Sequence, residues 1–283
     1  VEVRYLRLFG GRVIVSPRGD RLLMVRQVDH QTHCGLMARA FGDGEFARIE
    51  HWDSVVTAAD LHDEGWRECD DAPGVNGEGT PVDFPDLDRS EHVALYGRGI
   101  DLIEARDPRA GLVVSMHGQG LHEARLGLDG TPRDRSRQQP AVRAFIEREE
   151  ARQARLLEEI GDPGCKEWAW AAYRLLQAWD LLSLYLLWYG LPNLTTGQLD
   201  QVPRRVGDAG IDIAAEPVDE RFALLRPFPF PGDEAVFPVA ARYIPNRRYE
   251  TNDDLRAALD AAPWTTLEVG VRRLKPESDP GTR

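Results

Sequence analysis

All seven histidines of this chain fall between positions 30 and 122, and none follows. Four of them, His33, His62, His92 and His117, lie on stretches whose apolar pattern predicts helix, between about 25 and 30 residues apart. That interval is one helix plus one loop. Antiparallel helices joined in this way each carry one residue to a common point, as metal sites in helical bundles do. The spacing therefore predicts a helical body over residues 29–190. Residues 1–28 are read as N-terminal β-strands (Val3–Phe9, Val13–Val15 and Leu22–Val25). Residues 191–283 are read as a β-rich appendage with strands near 222–226, 236–243 and 267–274, and one helix over 253–261; the N- and C-terminal strands are expected to join in one sheet packed on the helical body. The expected fold is mainly α, a helical bundle with accessory β-strands at both ends, and α+β overall.

His62 and Asp63 stand side by side after the apolar run 55–61, where a helix is expected to end. An imidazole and a carboxylate placed there reach a point beyond the helix end. A carboxylate has two oxygens to share between two cations, the chemistry of a bridging ligand. Asp180 is the other marked carboxylate. Its neighbours at helical spacing are Tyr173, Leu176, Gln177, Ser183, Leu184 and Leu187, so its charge needs a partner or a metal. His33, His62, Asp63, His92, His117 and Asp180 thus make a ligand set sufficient for two divalent ions. Imidazole with carboxylate suits Fe or Mn, with Zn, Co or Ni as alternatives. Glu64, Arg67 and His122 are the candidate catalytic or substrate-contacting groups beside it. An Arg cluster at Arg133, Arg135 and Arg137 reads as a loop. His30 reads as an N-terminal helix residue, with a contact behind the ligands or to the substrate as the alternative.

The net charge of −12 opposes nucleic-acid binding, which needs a basic surface, but not a small anionic substrate held at a metal. Three cysteines without CxxC spacing argue against a disulfide framework or a thiolate zinc site. No secretory leader is recognised, and the most apolar stretch, 168–189, is interrupted by Arg174, Gln177 and Asp180. The expectation is a cytoplasmic protein with no membrane partner.

The order His, His-Asp, His, His, Asp resembles the HD-domain superfamily in its two-metal branch. The resemblance implies an HD-like helical fold. It matches His33, His62, Asp63 and Asp180 to the superfamily's core positions, and His92 and His117 to the additional histidines of its binuclear members. At closer range the chain resembles an uncharacterised bacterial family, domain-of-unknown-function family 3891. The likeness lies in His62-Asp63-Glu64-Gly65-Trp66, Gly79-Thr80-Pro81-Val82-Asp83-Phe84, Asp107-Pro108-Arg109-Ala110 and Ser115-Met116-His117-Gly118-Gln119-Gly120-Leu121, and covers roughly residues 20–250. Binuclear HD phosphohydrolases usually carry Lys after the glycine of the motif. Here Trp66 stands there, followed by Arg67. The resemblance implies hydrolysis of a small phosphoester. A mixed-valence di-iron oxygenase is the alternative, and a non-catalytic metal- or nucleotide-binding sensor a third.

Overall fold

The computed structural model describes residues 13–70, 73–124 and 135–274. The expected strand Val3–Phe9 and Arg133 lie outside them. The helices are α1 (Gln27–Ala40), α2 (Trp52–Leu61), α3 (Arg89–Arg106), α4 (Pro108–Gly120), α5 (Pro140–Ile160), α6 (Cys165–Leu184) and α7 (Asn252–Ala261). A 3₁₀ turn, Glu64–Trp66, runs into one helical turn, Arg67–Asp70, after α2. The strands are β1 (Val13–Arg18), β2 (Arg21–Arg26), β3 (Gly197–Val202), β4 (Ile211–Pro217), β5 (Phe222–Arg226), β6 (Glu234–Pro245) and β7 (Thr265–Arg273).

Local chemistry explains several helix boundaries. The Asp107 side chain accepts from the N–H groups of Arg109 and Ala110, and Pro108 fills the first turn of α4. Thr251 caps α7 in the same way. Gly161, at φ 64°, closes α5 in the left-handed conformation. Helix α6 is buried around nearly its whole circumference, as a helix apolar on all sides must be, and forms the centre of the core. Its one interior cation, Arg174, donates to the carbonyls of Asp208 and Ala209 and so pins the connection between β3 and β4.

The strands overturn the expected mainly-α bundle. They form one curled seven-stranded sheet in the order β1-β2-β6-β7-β5-β4-β3, antiparallel except for β5 beside β7. The described residues are 50% helix and 22% strand, an α+β fold rather than an HD bundle with terminal strands. N-terminal β2 pairs with C-terminal β6, Met24 opposite Arg242 and Leu23 opposite Tyr243. The sheet contributes to the core: Phe237, Val239, Val269 and Val271 bury against the helical layer. That the N- and C-terminal strands join in one sheet is as the sequence leads one to expect; which strand meets which leaves no mark in local periodicity, because the partners are more than 200 residues apart. Strands β3 and β4, short and polar, were not recognised in the sequence at all. Among the described residues, no helix is long and apolar enough to cross a membrane.

Asp83, in the Gly79–Phe84 motif, fastens the edge of this sheet. One carboxylate oxygen accepts from the Val15 and Phe84 N–H groups, the other from Trp188 Nε1. Asp83→Ala strands the Val15 amide and the Trp188 indole together. The expected loss is about 2–3 kcal/mol of unfolding free energy, read from denaturant midpoints, with Asp83→Asn retaining part of it. A midpoint unchanged by Asp83→Ala would mean that water replaces all three bonds.

Candidate functional site

A row of polar residues crosses the interior between α1, α3, α4 and α6. Gln177, Asp180 and Ser183 stand three residues apart on α6 and form a polar stripe on a helix otherwise packed in the core. Opposite them are His30, Gln31 and His33 on α1, His62 and Asp63 just after α2, Tyr96 on α3 and His117 on α4. All are almost fully buried. Buried polar groups are costly unless satisfied, so each contact has a consequence.

The backbone carbonyl of Ala59 accepts from His62 Nδ1 at 2.9 Å. A carbonyl only accepts, so Nδ1 carries a proton and Nε2 is turned inward. That nitrogen is buried without a hydrogen-bond partner, 3.4 Å from Asp63 Oδ2. The contact calls for a positive charge between the two atoms, which either a metal ion or a proton on Nε2 would supply. Asp63 is held for this position from two sides. Tyr96 donates to Oδ1 at 2.6 Å, and the Asp63 N–H donates to Gln31 Oε1 at 2.9 Å.

His30 is the ring that meets this pair. Its Nε2 lies 3.1 Å from Asp180 Oδ1 and 4.0 Å from Asp63 Oδ2. Its Nδ1 is 2.7 Å from Ser183 Oγ, and His33 Nδ1 is 2.8 Å from the same oxygen. One hydroxyl donates only once, so at least one ring must donate into Ser183. Burial works against a charge on His30, but Cys34 and Asp180 outweigh it and hold the ring well above its ordinary value. His33 is pushed down to about 3 by burial and then by His30. The consistent chain is Asp180 accepting from His30, His30 donating to Ser183, and Ser183 donating to His33.

The ligand atoms of His30, Cys34 and His62 all lie within 4.8 Å of one another. Ligand atoms around a tetrahedral ion sit roughly 3.5 Å apart, so modest rotations close the set. Cys34 Sγ is buried, 3.9 Å from His30 Nε2 and 3.6 Å from the Trp179 carbonyl. Its role was missed in the sequence, although His30 and Cys34 are four apart and so lie one above the other on α1.

The structure thus brings together His62, Asp63 and Asp180 as expected, with His30 in the place given to His33. The His33 ring packs edge-on against Phe237 of β6. His117 stands next in the row, its ring 5.1 Å from that of His62, with Nδ1 held by the Gln177 amide at 3.0 Å. His92 lies farther out, beyond Tyr96, beside Trp66 and His122. Glu64 does not serve as a free base. Arg67 and Gln31 occupy both its oxygens, and Arg67 above all holds its carboxyl below the usual range. Arg67 is correspondingly engaged by Glu64 on the surface rather than directed at the row.

A family model described as "Protein of unknown function (DUF3891)" matches residues 13–246. No curated protein and no solved structure matches the chain.

Proposed function

We propose, for a chain that belongs to the DUF3891 family, a metal-dependent hydrolase acting on a small phosphoester. The observation that carries this reading is the unpartnered Nε2 of His62 facing Asp63 Oδ2, with His30 and Cys34 closing the group. Two imidazoles, a thiolate and the Asp63 and Asp180 carboxylates suit Zn, Fe or Co better than Mn, because the sulfur is soft. The order of His62-Asp63, the later histidines and Asp180 resembles the HD superfamily's ligand order in residue types alone, and the phosphoester assignment rests on it.

An ion here would act as a Lewis acid and lower the pKa of a bound water. The chain's own residues prepare the place. Ala59 fixes the His62 tautomer, Tyr96 and Gln31 orient Asp63, and Ser183 and Asp180 orient His30. Uptake of the ion displaces the protons of His30 Nε2 and Cys34 Sγ. The surrounding burial keeps bulk water from the carboxylates.

The test is to strip the protein of metal, reload it with Co(II), and record its spectrum before a phosphoester assay with Zn, Fe and Mn. The expected result is a sulfur-to-cobalt charge-transfer band in the near ultraviolet that Cys34→Ser abolishes, with phosphate release on reloading. A His62 imidazolium would satisfy the same contact with a proton. Protein that takes up no ion under any loading condition would establish that and reject the metal. Metal uptake without hydrolysis of any phosphoester would reject the assigned reaction.

A further inference from the structure

The outer end of the polar row has a different chemistry. His92 is in the first turn of α3 and His122 follows α4, their rings 5.2 Å apart and nearly perpendicular. The Trp66 ring is 5.6 Å from His92. Both nitrogens of His122, Nδ1 of His92 and Nε1 of Trp66 are buried without partners. The two histidines are otherwise partly exposed, so the group lies where the row approaches the surface.

These orphaned atoms discriminate between ligands. An indole N–H only donates, so whatever meets Trp66 must bring an acceptor. Each neutral imidazole offers one N–H as well. Burial above all holds His92 at about 3, with His122 and then Arg89 adding to it, and holds His122 at about 4, with Arg89 adding to it. Arg89 is the positive charge nearest to hand for an anion held by these donors. The neighbouring Glu123 carboxylate is already engaged by Arg135 and Gln119.

We propose that Trp66, His92 and His122 form a receptor for an oxyanion of the substrate, separate from the His30–Cys34–His62 group. This rests on the hydrolase reading and narrows it: the substrate carries a second anionic group remote from the bond that is cut. His62, His117, Tyr96 and His92 stand in succession, with ring separations of 5.1, 5.9 and 4.8 Å between neighbours. A substrate spanning that row presents one end to the cation-binding group and the other to the donors. His92 is accordingly a substrate-positioning residue and not a ligand of a second ion.

Inorganic phosphate is the probe. It is titrated calorimetrically into the metal-stripped full-length protein, into Trp66→Phe and into His122→Ala, and the metal content of the reloaded proteins is measured in parallel. Trp66→Phe keeps the aromatic bulk and removes only the donor. The expected result is phosphate binding without metal, weakened roughly tenfold by Trp66→Phe and at least as much by His122→Ala. Metal content should equal that of the parent in both variants and in His92→Ala. Phosphate binding that disappears with the metal, or that Trp66→Phe leaves unchanged, overturns the receptor. So does a loss of metal from His92→Ala or His122→Ala. A parent protein that binds phosphate but never metal upholds the receptor while rejecting the hydrolase reading.

Discussion

His62→Ala is expected to lower metal affinity about a hundredfold and to abolish phosphoester hydrolysis at limiting metal. Structural zinc sites bind with about 10–16 kcal/mol, so one ligand among five is worth roughly 2–3 kcal/mol. The effect on stability should depend on the ion. In the metal-free protein the substitution removes a nitrogen that faces Asp63 Oδ2 at 3.4 Å without a partner. The lost hydrogen bond to the Ala59 carbonyl and the cavity then oppose the change, about 2–4 kcal/mol. With metal at 1,000 times the parent's dissociation constant the parent gains about 4 kcal/mol and the variant, at about 10 times its own, only about 1.4. The gap between the two melting curves should therefore widen on loading and narrow on chelation. An identical gap under both conditions would show that His62 serves only in packing.

Gly65→Ala should be the most damaging single substitution outside the site. A Cβ at Gly65 would lie 2.0 Å from the Leu95 carbonyl oxygen and 3.1 Å from the Gly99 nitrogen. Both obstacles are α3 backbone, so no side chain can swing aside. Gly99 is the reciprocal half of the contact, its own added Cβ meeting the Gly65 nitrogen at 2.8 Å. Relief requires the 3₁₀ turn and α3 to part, at about 3–5 kcal/mol, or on the order of 10 °C in melting temperature. The same displacement pulls Asp63, two residues earlier, away from Tyr96, one residue after Leu95. Metal affinity should fall with stability. Gly77, exposed with open space around it, is the control, and Gly77→Ala should be neutral. Full stability in Gly65→Ala would mean that α3 is not held as closely as the backbone contact requires.

The geometry of the candidate site is only partly legible in the chain. The His62-Asp63 pair was marked because a carboxylate and an imidazole at the end of an apolar helix need a reason. Asp180 was marked because its neighbours at helical spacing are mostly core residues. The choice between His30 and His33 had no such mark. They are three apart on α1, both on its buried side, and either ring fits a helical pattern. Packing decides it: β6 lies against α1 and takes His33 onto Phe237, while Asp180 and Ser183 of α6 take His30. Glu64 looked free beside the pair. Arg67 three residues on and Gln31 from another helix hold it, and only the first partner is close in sequence.

By itself, the sequence determined where the helices begin and end, because caps, prolines and glycines act within a turn: Asp107-Pro108, Thr251 and Gly161. It also determined that a cluster of imidazole and carboxylate groups would be buried, since burial follows from the apolar faces that carry them. Tertiary structure alone decided that β2 and β6 would be the pair that joins the two ends of the chain, and that β7 would lie between β6 and β5. It decided which imidazole nitrogen is left without a partner, and whether the donors of Trp66, His92 and His122 would meet. Pairing across the chain depends on which surfaces complete one another, a property of two distant segments together that neither carries alone.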